Sequence, residues 1–416
     1  MRLFMKECRK LLHSVIYYIF LFMVLLTFLT QFRNDLYLHG ADIRPTSAGS
    51  GEYMKEGNDP DKIIPAATES LLMDYMNNRY VTYPLGFIKV VHLNNGDRQK
   101  MALILERITG LSAEEIETKR SQYASEIGIY DDYVEFPNMF SYEIPQDLGI
   151  DEFRTLMYEA DDILGGGSSY AEENLSGMFG LEPMTYEEIM AEYDDFEYND
   201  RITNGYARLN CDYYGIFMIL FVVFVAAFFL TYDRRSHMEQ LIYSRKISSF
   251  RLEMTRYAAL SFMMFLPLLV MAAWAHILII KFYPDADLDH FAMYKYTLVW
   301  LLPTVLSGTG LAMLLTELFS GIAAILIQSA VWFITCMKGS LTGNIGKFDL
   351  IIRHNTNMER QLFMDQLNNF IFNRCFCTIA GILCAVLAAI VFGLKREGRF
   401  NGFRLLDKVF KHKSKA

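Results

Sequence analysis

Six apolar stretches, at residues 11–32, 213–232, 257–282, 294–316, 319–337 and 372–394, constrain this chain more than any other feature. Each approaches the roughly 20 helical residues that cross a hydrocarbon core of about 30 Å. The expected fold is therefore an all-α integral membrane protein with six transmembrane helices. Composition agrees, since 52% hydrophobic and 14% aromatic residues exceed the usual share of a soluble globular chain. Arg2, Lys6, Arg9 and Lys10 precede the first run as they would in a signal peptide. That run is longer than a signal core, however, and no small-residue cleavage site follows at 31–35, so a retained anchor is expected.

Charge orients the spans. The N-terminal tail, the loop at 233–256 and the tail at 395–416 are rich in Lys and Arg, whereas the loop KFYPDADLDH is mostly acidic. The positive-inside rule then puts both termini in the cytoplasm. Residues 33–212 hold 35 acidic against 14 basic side chains, a balance of −21, while the rest of the chain carries +12. The expected organisation is an N-terminus and first helix at 1–32 and an extracellular domain at 33–212. Helices two to six follow over 213–394, with an outer segment at 338–371, before the basic tail.

The loop HMEQLIYSRKISSFRLEMTRY at 237–257 carries more pattern than topology requires. On a helix, Met238, Leu241 and Ile242 share one face and Glu239, Tyr243 and Lys246 another. The first suits the bilayer and the second a partner. Ser249 is placed to cap a further helix leading into the third span.

The run E-x-x-x-Y-S-R-x-I-S resembles the coupling helix of ABC-2 type exporter permeases. Together with LGGGSSY at 164–170, GYARLNCDYYGI at 205–216 and IYSRKISS at 242–249, the layout resembles a bacterial branch with a large domain after the first span. The resemblance in layout covers essentially the whole chain, and its specific motifs about a tenth of it. It implies a permease that meets a separate cytoplasmic ABC ATPase through Glu239, Tyr243, Ser244, Arg245, Lys246, Ile247 and Ser248. It also implies that two membrane halves assemble, by a second copy or a related chain, in the lipid bilayer. No cofactor is expected in this chain and no nucleic acid as a partner; ATP and Mg belong to the ATPase. The chain itself has no G-x-x-x-x-G-K-[ST], for in GSLTGNIGKF at 339–348 the glycine spacing is wrong and Phe348 follows the lysine.

The domain at 33–212 reads as mostly helical, with capping boxes at Ser112–Glu115 and Thr185–Glu188. Amphipathic runs lie near 65–80, 97–109, 112–126, 150–164 and 185–209, the stretch 39–62 reads as a loop, and FIKVV at 87–91 stays unassigned. Gly165–Gly167 suit either a phosphate cradle with Asp161 and Asp162 or a helix-ending turn, and the turn is preferred. The acidic run YDDFEYND at 193–200 reads as a solvated helix face rather than a cation trap.

Of six cysteines only Cys211 falls in the outer domain, so no bridge within it is expected. Cys375 and Cys377 are too few to make a metal site expected. His13 and His276 are the ionisable exceptions near or inside apolar runs, and Glu317 sits in a turn after the fourth span. So few buried acids weaken a proton-coupled transporter. In the fourth span Pro303, Ser307, Gly308, Thr309 and Gly310 permit a kink and close helix approach, which serves packing or a pathway. Between the fifth and sixth spans, a short outer helix or partial re-entry fits 338–371. Zinc-protease and serine-hydrolase motifs are missing, which disfavours an enzyme. The alternative to a permease is a membrane sensor whose outer domain recognises a ligand.

Overall fold

The computed structural model describes residues 2–39, 53–84, 88–127, 142, 144–145, 147–236, 238–339, 345–354 and 356–399. The chain divides into two compact units, Met1–Pro45 with Met190–Ala416, and Thr46–Ile189.

The first unit is a helical bundle. Among the described residues, five helical stretches are long and apolar enough to cross a membrane: Val15–Tyr37, Thr203–Asp233, Ser249–Phe282, Ala292–Leu318 and Leu367–Arg396. The fifth expected span corresponds to the helix Gly321–Gly339, whose apolar part, Gly321–Cys336, is shorter than the others. It packs along the Thr203–Arg235 helix, where Trp332 Nε1 donates to the Ile216 carbonyl at 2.6 Å and Gln328 Nε2 to that of Ile219 at 2.9 Å. The Thr203–Arg235 helix has 33 residues. At 1.5 Å per residue it reaches about 50 Å, well beyond a hydrocarbon core of about 30 Å. The second span therefore starts ten residues before the expected boundary, and residues 190–212 belong to the bundle rather than to the separate unit.

Small residues decide the tightest crossing. A Cβ at Gly381 would lie 2.5 Å from the Leu306 carbonyl oxygen, and one at Gly310 would overlap the Gly381 carbonyl. Only glycine lets the Leu302–Leu318 and Leu367–Arg396 backbones touch this way. Upstream, Thr297–Leu301 forms a widened π-helical turn just before Pro303, whose missing N–H interrupts the helical ladder.

The bundle has two ends. One gathers Arg2–Leu12, residues 231–249, Glu317 and Lys395–Arg399, and is called the basic end here. Its first element, the amphipathic helix Arg2–Leu12, turns at Ser14 into the first long helix and packs Phe4 edge-on against Phe262 at 5.8 Å. At the opposite end, residues 345–366 fold back so that Ile345, Ile352, His354 and Phe363 are buried. Asn373 holds this segment by donating to the Gly346 and Asp349 carbonyls at 2.7 and 2.8 Å. Arg374 beside it is buried and donates to the Trp300 carbonyl and Thr304 Oγ at 3.0 and 2.9 Å. Of the two expected forms, a short helix is present at Arg360–Asp365, and the segment packs its apolar side chains against the bundle.

The second unit is mostly helical. Pro60–Asn77, Asn95–Thr109, Ala113–Ile127, Ile150–Leu164 and Glu172–Phe179 surround a core of Leu71, Tyr75, Met101, Leu105, Phe153 and Met157. Both capping boxes form: Glu115 N donates to Ser112 Oγ at 3.3 Å, Ser112 N to Glu115 Oε2 at 2.8 Å, and Thr185 with Glu188 repeats the exchange at 3.3 and 3.0 Å. Two antiparallel strand pairs add to it, Met54–Glu56 with Leu181–Pro183 and Tyr80–Thr82 with Lys89–Val91. Part of the expected loop at 39–62 is therefore strand and helix, while 40–52 lies outside the described residues. Cross-strand pairing also resolves the ambiguity of 89–91, which local pattern left open.

Candidate coupling surface at the basic end

Residues 238–248 form a short helix and a bend, not the two-turn helix expected. The helix Glu239–Tyr243 has five residues. Beyond it the carbonyls turn away from a helical ladder towards one side chain. Arg396 donates through Nε to the Tyr243 carbonyl at 2.9 Å, through Nη1 to Ile247 at 2.6 Å and through Nη2 to Arg245 at 2.6 Å. A guanidinium presents five donors in a rigid planar fork, so one side chain holds three carbonyls of a bend in a fixed geometry. The Tyr243 ring meets Phe392 edge-on at 5.7 Å, one turn before Arg396. The segment is thereby fixed to the last helix of the bundle.

This arrangement corrects the expected faces. Tyr243 turns inward against Phe392 rather than outward with Lys246, because the helix stops before Lys246 can continue its face. Met238 and Leu241 are 45% and 58% exposed, and Arg245 and Lys246 stand exposed beyond them. Ser244 Oγ donates back to the Leu241 carbonyl at 3.0 Å, closing the turn, and Ile247 is half-buried. The cap of the following helix is Ser248, whose Oγ accepts from Arg251 N at 3.2 Å, one residue before the expected Ser249. Glu239 lies in the short helix, and its side chain is outside the described residues.

Beneath the segment lies a cluster of buried charge. Arg256 donates to Glu253 Oε1 at 2.7 Å and pairs with Asp233, which also receives Lys10 Nζ at 2.7 Å. Lys395 Nζ reaches Glu317 at 3.2 Å. Glu7 and Glu317 both lie within electrostatic reach of Glu253. Among the described residues, the carboxylates Glu7, Asp233, Glu253 and Glu317 thus gather with the cations Lys10, Arg256 and Lys395. Glu7 Oε2 and Glu253 Oε2 are buried without a hydrogen-bond partner among the described residues. Lys10 comes from the N-terminal helix, Asp233 from the end of the second span and Arg256 from the start of the third. The cluster therefore ties together the elements that frame 238–248.

The second group of expected site residues behaves differently. Pro303, Ser307, Gly308, Thr309 and Gly310 are all buried in the bundle. Ser307 Oγ donates to the Thr304 carbonyl at 3.0 Å and Thr309 Oγ to that of Val305 at 2.6 Å, so both hydroxyls are spent on their own helix. Gly308 faces Ile219 and Val222, and Gly310 faces Gly381. The arrangement is one of packing.

Other motifs resolve in the same way. Gly165, Gly166 and Gly167 all have positive φ. The Gly165 and Gly166 amides donate to the Asp162 and Asp161 carbonyls at 3.1 and 2.9 Å, and Asp161 Oδ1 accepts from Ser168 N at 2.8 Å. These donors terminate a helix instead of facing a phosphate. The acidic run 193–200 is not simply a solvated face, because Asp200 is buried against Arg208 and Asp195 meets Arg360 at 3.4 Å. Cys377 is buried and Cys375 exposed, so the two thiols face different surroundings.

Sequence reading missed Arg396, Glu253, Arg256, Asp233 and Lys10 at the basic end, and Arg374 within the last span. For Glu253 and Arg256 a signal exists: opposite charges three residues apart at the mouth of an apolar run mark a paired buried site. For Arg396 none exists, because its acceptors are backbone carbonyls some 150 residues away in sequence. No family model, curated protein or solved structure matches the chain.

Proposed function

We propose that the chain is the permease subunit of an ABC-2 type exporter, and that residues 238–248 are where a separate ATPase docks. The observation that carries this reading is the clamp of Arg396 on the carbonyls of Tyr243, Arg245 and Ile247. A docking element useful for transport must move as one piece with a membrane helix, and a guanidinium bound to three backbone oxygens transmits displacement in both directions. The surface left outward, Met238, Leu241 and Lys246, offers an apolar anchor beside a cation, a combination suited to a partner groove with an acidic rim.

In this reading the basic end faces the cytoplasm, Gly321–Gly339 serves as the sixth membrane element, and the unit Thr46–Ile189 lies outside. Two membrane halves combine, and ATP and Mg bind in the ATPase. The test is purification of the chain from native membranes with measurement of ATP hydrolysis in the recovered complex. Wild-type protein should bring down a Walker A protein with ATPase activity. Leu241→Asp and Lys246→Glu should each reduce recovery at least tenfold, with the bundle still folded. Undiminished recovery with both variants would remove the docking role of this surface.

A further inference from the structure

We propose that His276 and His290 form a binding site for a transition-metal ion such as Zn2+, Ni2+ or Cu2+ at the end of the bundle opposite the basic end. His276 lies near the end of the Ser249–Phe282 helix, and His290 in the connection that follows it. His276 Nε2 and His290 Nδ1 are 3.4 Å apart, and the ring centroids 5.3 Å apart.

These two distances fit a metal pair as well as they fit a bent hydrogen bond, and depart from a straight one. Each ring nitrogen stands about 1.15 Å from its centroid, so a straight N–H···N bond of this length would put the centroids about 5.7 Å apart. Two imidazoles on a tetrahedral ion at about 2.05 Å have nitrogens about 3.35 Å apart and centroids about 5.2 Å apart. The observed pair, 3.4 and 5.3 Å, matches the second geometry.

The surroundings suit a cation. His276 is 9% exposed, and its Nε2 is the nitrogen that faces His290. His290 is exposed, giving a path from solvent. Asp285, Asp287 and Asp289 lie on the same connection, with Asp287 3.5 Å from Arg201. Asp289 is itself engaged, accepting from Phe291 N at 3.0 Å and from Lys295 Nζ at 3.4 Å. Among the described residues no third His, Cys, Asp or Glu completes a cluster, so water fills the remaining positions. Imidazole ligands with water suit Zn2+, Ni2+ and Cu2+ rather than Mg2+ or Ca2+.

Isothermal titration of ZnCl2 and NiCl2 into the tag-free, chelator-treated chain in detergent tests the site. One ion per chain should bind, with affinity at least tenfold weaker in His276→Gln and in His290→Gln and unchanged in His92→Gln. His290→Gln alters an exposed side chain, so its thermal midpoint without metal should equal that of wild type, separating lost ligation from lost folding. Equal affinity in wild type and both variants, or no binding at all, would overturn the proposal.

Discussion

The two ends of the bundle bury charge in different ways. Opposite the basic end, arginines meet carboxylates directly: Arg208 forks onto Asp200, which Arg360 also approaches at 3.6 Å, Arg353 Nε reaches both oxygens of Asp212 at 3.0 and 3.3 Å, and Arg360 joins Asp195 at 3.4 Å, while the buried Arg374 is held by neutral groups. The Arg208 guanidinium also lies over the Phe363 ring at 5.3 Å. These bonds close the fold of residues 345–366 onto the second span. At the basic end, Glu7, Asp233, Glu253 and Glu317 gather with Lys10, Arg256 and Lys395, Glu7 Oε2 and Glu253 Oε2 have no hydrogen-bond partner among the described residues, and Arg396 spends its donors on backbone. Removing one member of a buried pair leaves an uncompensated charge, whereas a carboxylate that shares its cation with another can be neutralised at less cost.

Neutralising one carboxylate at each end should expose this difference. Asp200→Ala leaves Arg208 buried without its partner, a loss of about 3–5 kcal/mol when one member of a buried pair is removed. Glu253→Gln keeps an acceptor for Arg256, which also retains Asp233; its cost should stay within about 1 kcal/mol. Thermal unfolding of both variants in the same detergent measures the contrast. Equal destabilisation would erase the distinction between the ends.

This contrast marks how far the sequence could be read. The apolar runs and the capping boxes were legible because each is set by neighbours within one or two turns. The basic character of 233–256 was legible for the same reason. The Arg396 clamp and the Asp233, Glu253, Arg256 and Lys10 cluster were not, because their partners are brought together only by packing of distant helices. The glycine string at 307–310 was legible as close packing, yet its partner Gly381 was not, since a single glycine in an apolar run carries no local sign of what it touches. The face of Tyr243 was misread for a local reason: helical spacing was extended past Tyr243, where the chain trades its ladder for a side-chain clamp.

A half-buried carboxylate in the unit Thr46–Ile189 sharpens the comparison further, since its hydrogen-bond donor is neutral. Asp74 accepts from the Tyr170 hydroxyl at 2.7 Å, and burial pushes its pKa up to about 6 despite that bond. An ordinary Asp titrates near 3.9. Between about pH 4 and pH 6 the unfolded chain therefore ionises Asp74 while the folded chain still holds its proton. The stability due to this group is fully present below about pH 4, falls as pH rises to about 6, and is flat above. Comparing thermal midpoints of wild type and Asp74→Asn across this range checks the sign: wild type should lose ground to the variant as pH rises from 4 to 6. A constant difference would mean that the carboxyl titrates as it does in the open chain.

The account rests most heavily on residues 238–248 meeting an ATPase, and a photo-crosslinking amino acid placed at Leu241 or Lys246 in living cells tests it most directly. Both side chains are exposed on the outward surface of the segment. The same probe at Gly308, buried between helices, serves as the control. The account predicts one crosslinked protein at 241 and 246 carrying a Walker A motif, and none at 308. Crosslinks to lipid alone at 241 and 246, or to a protein that binds no nucleotide, would contradict it.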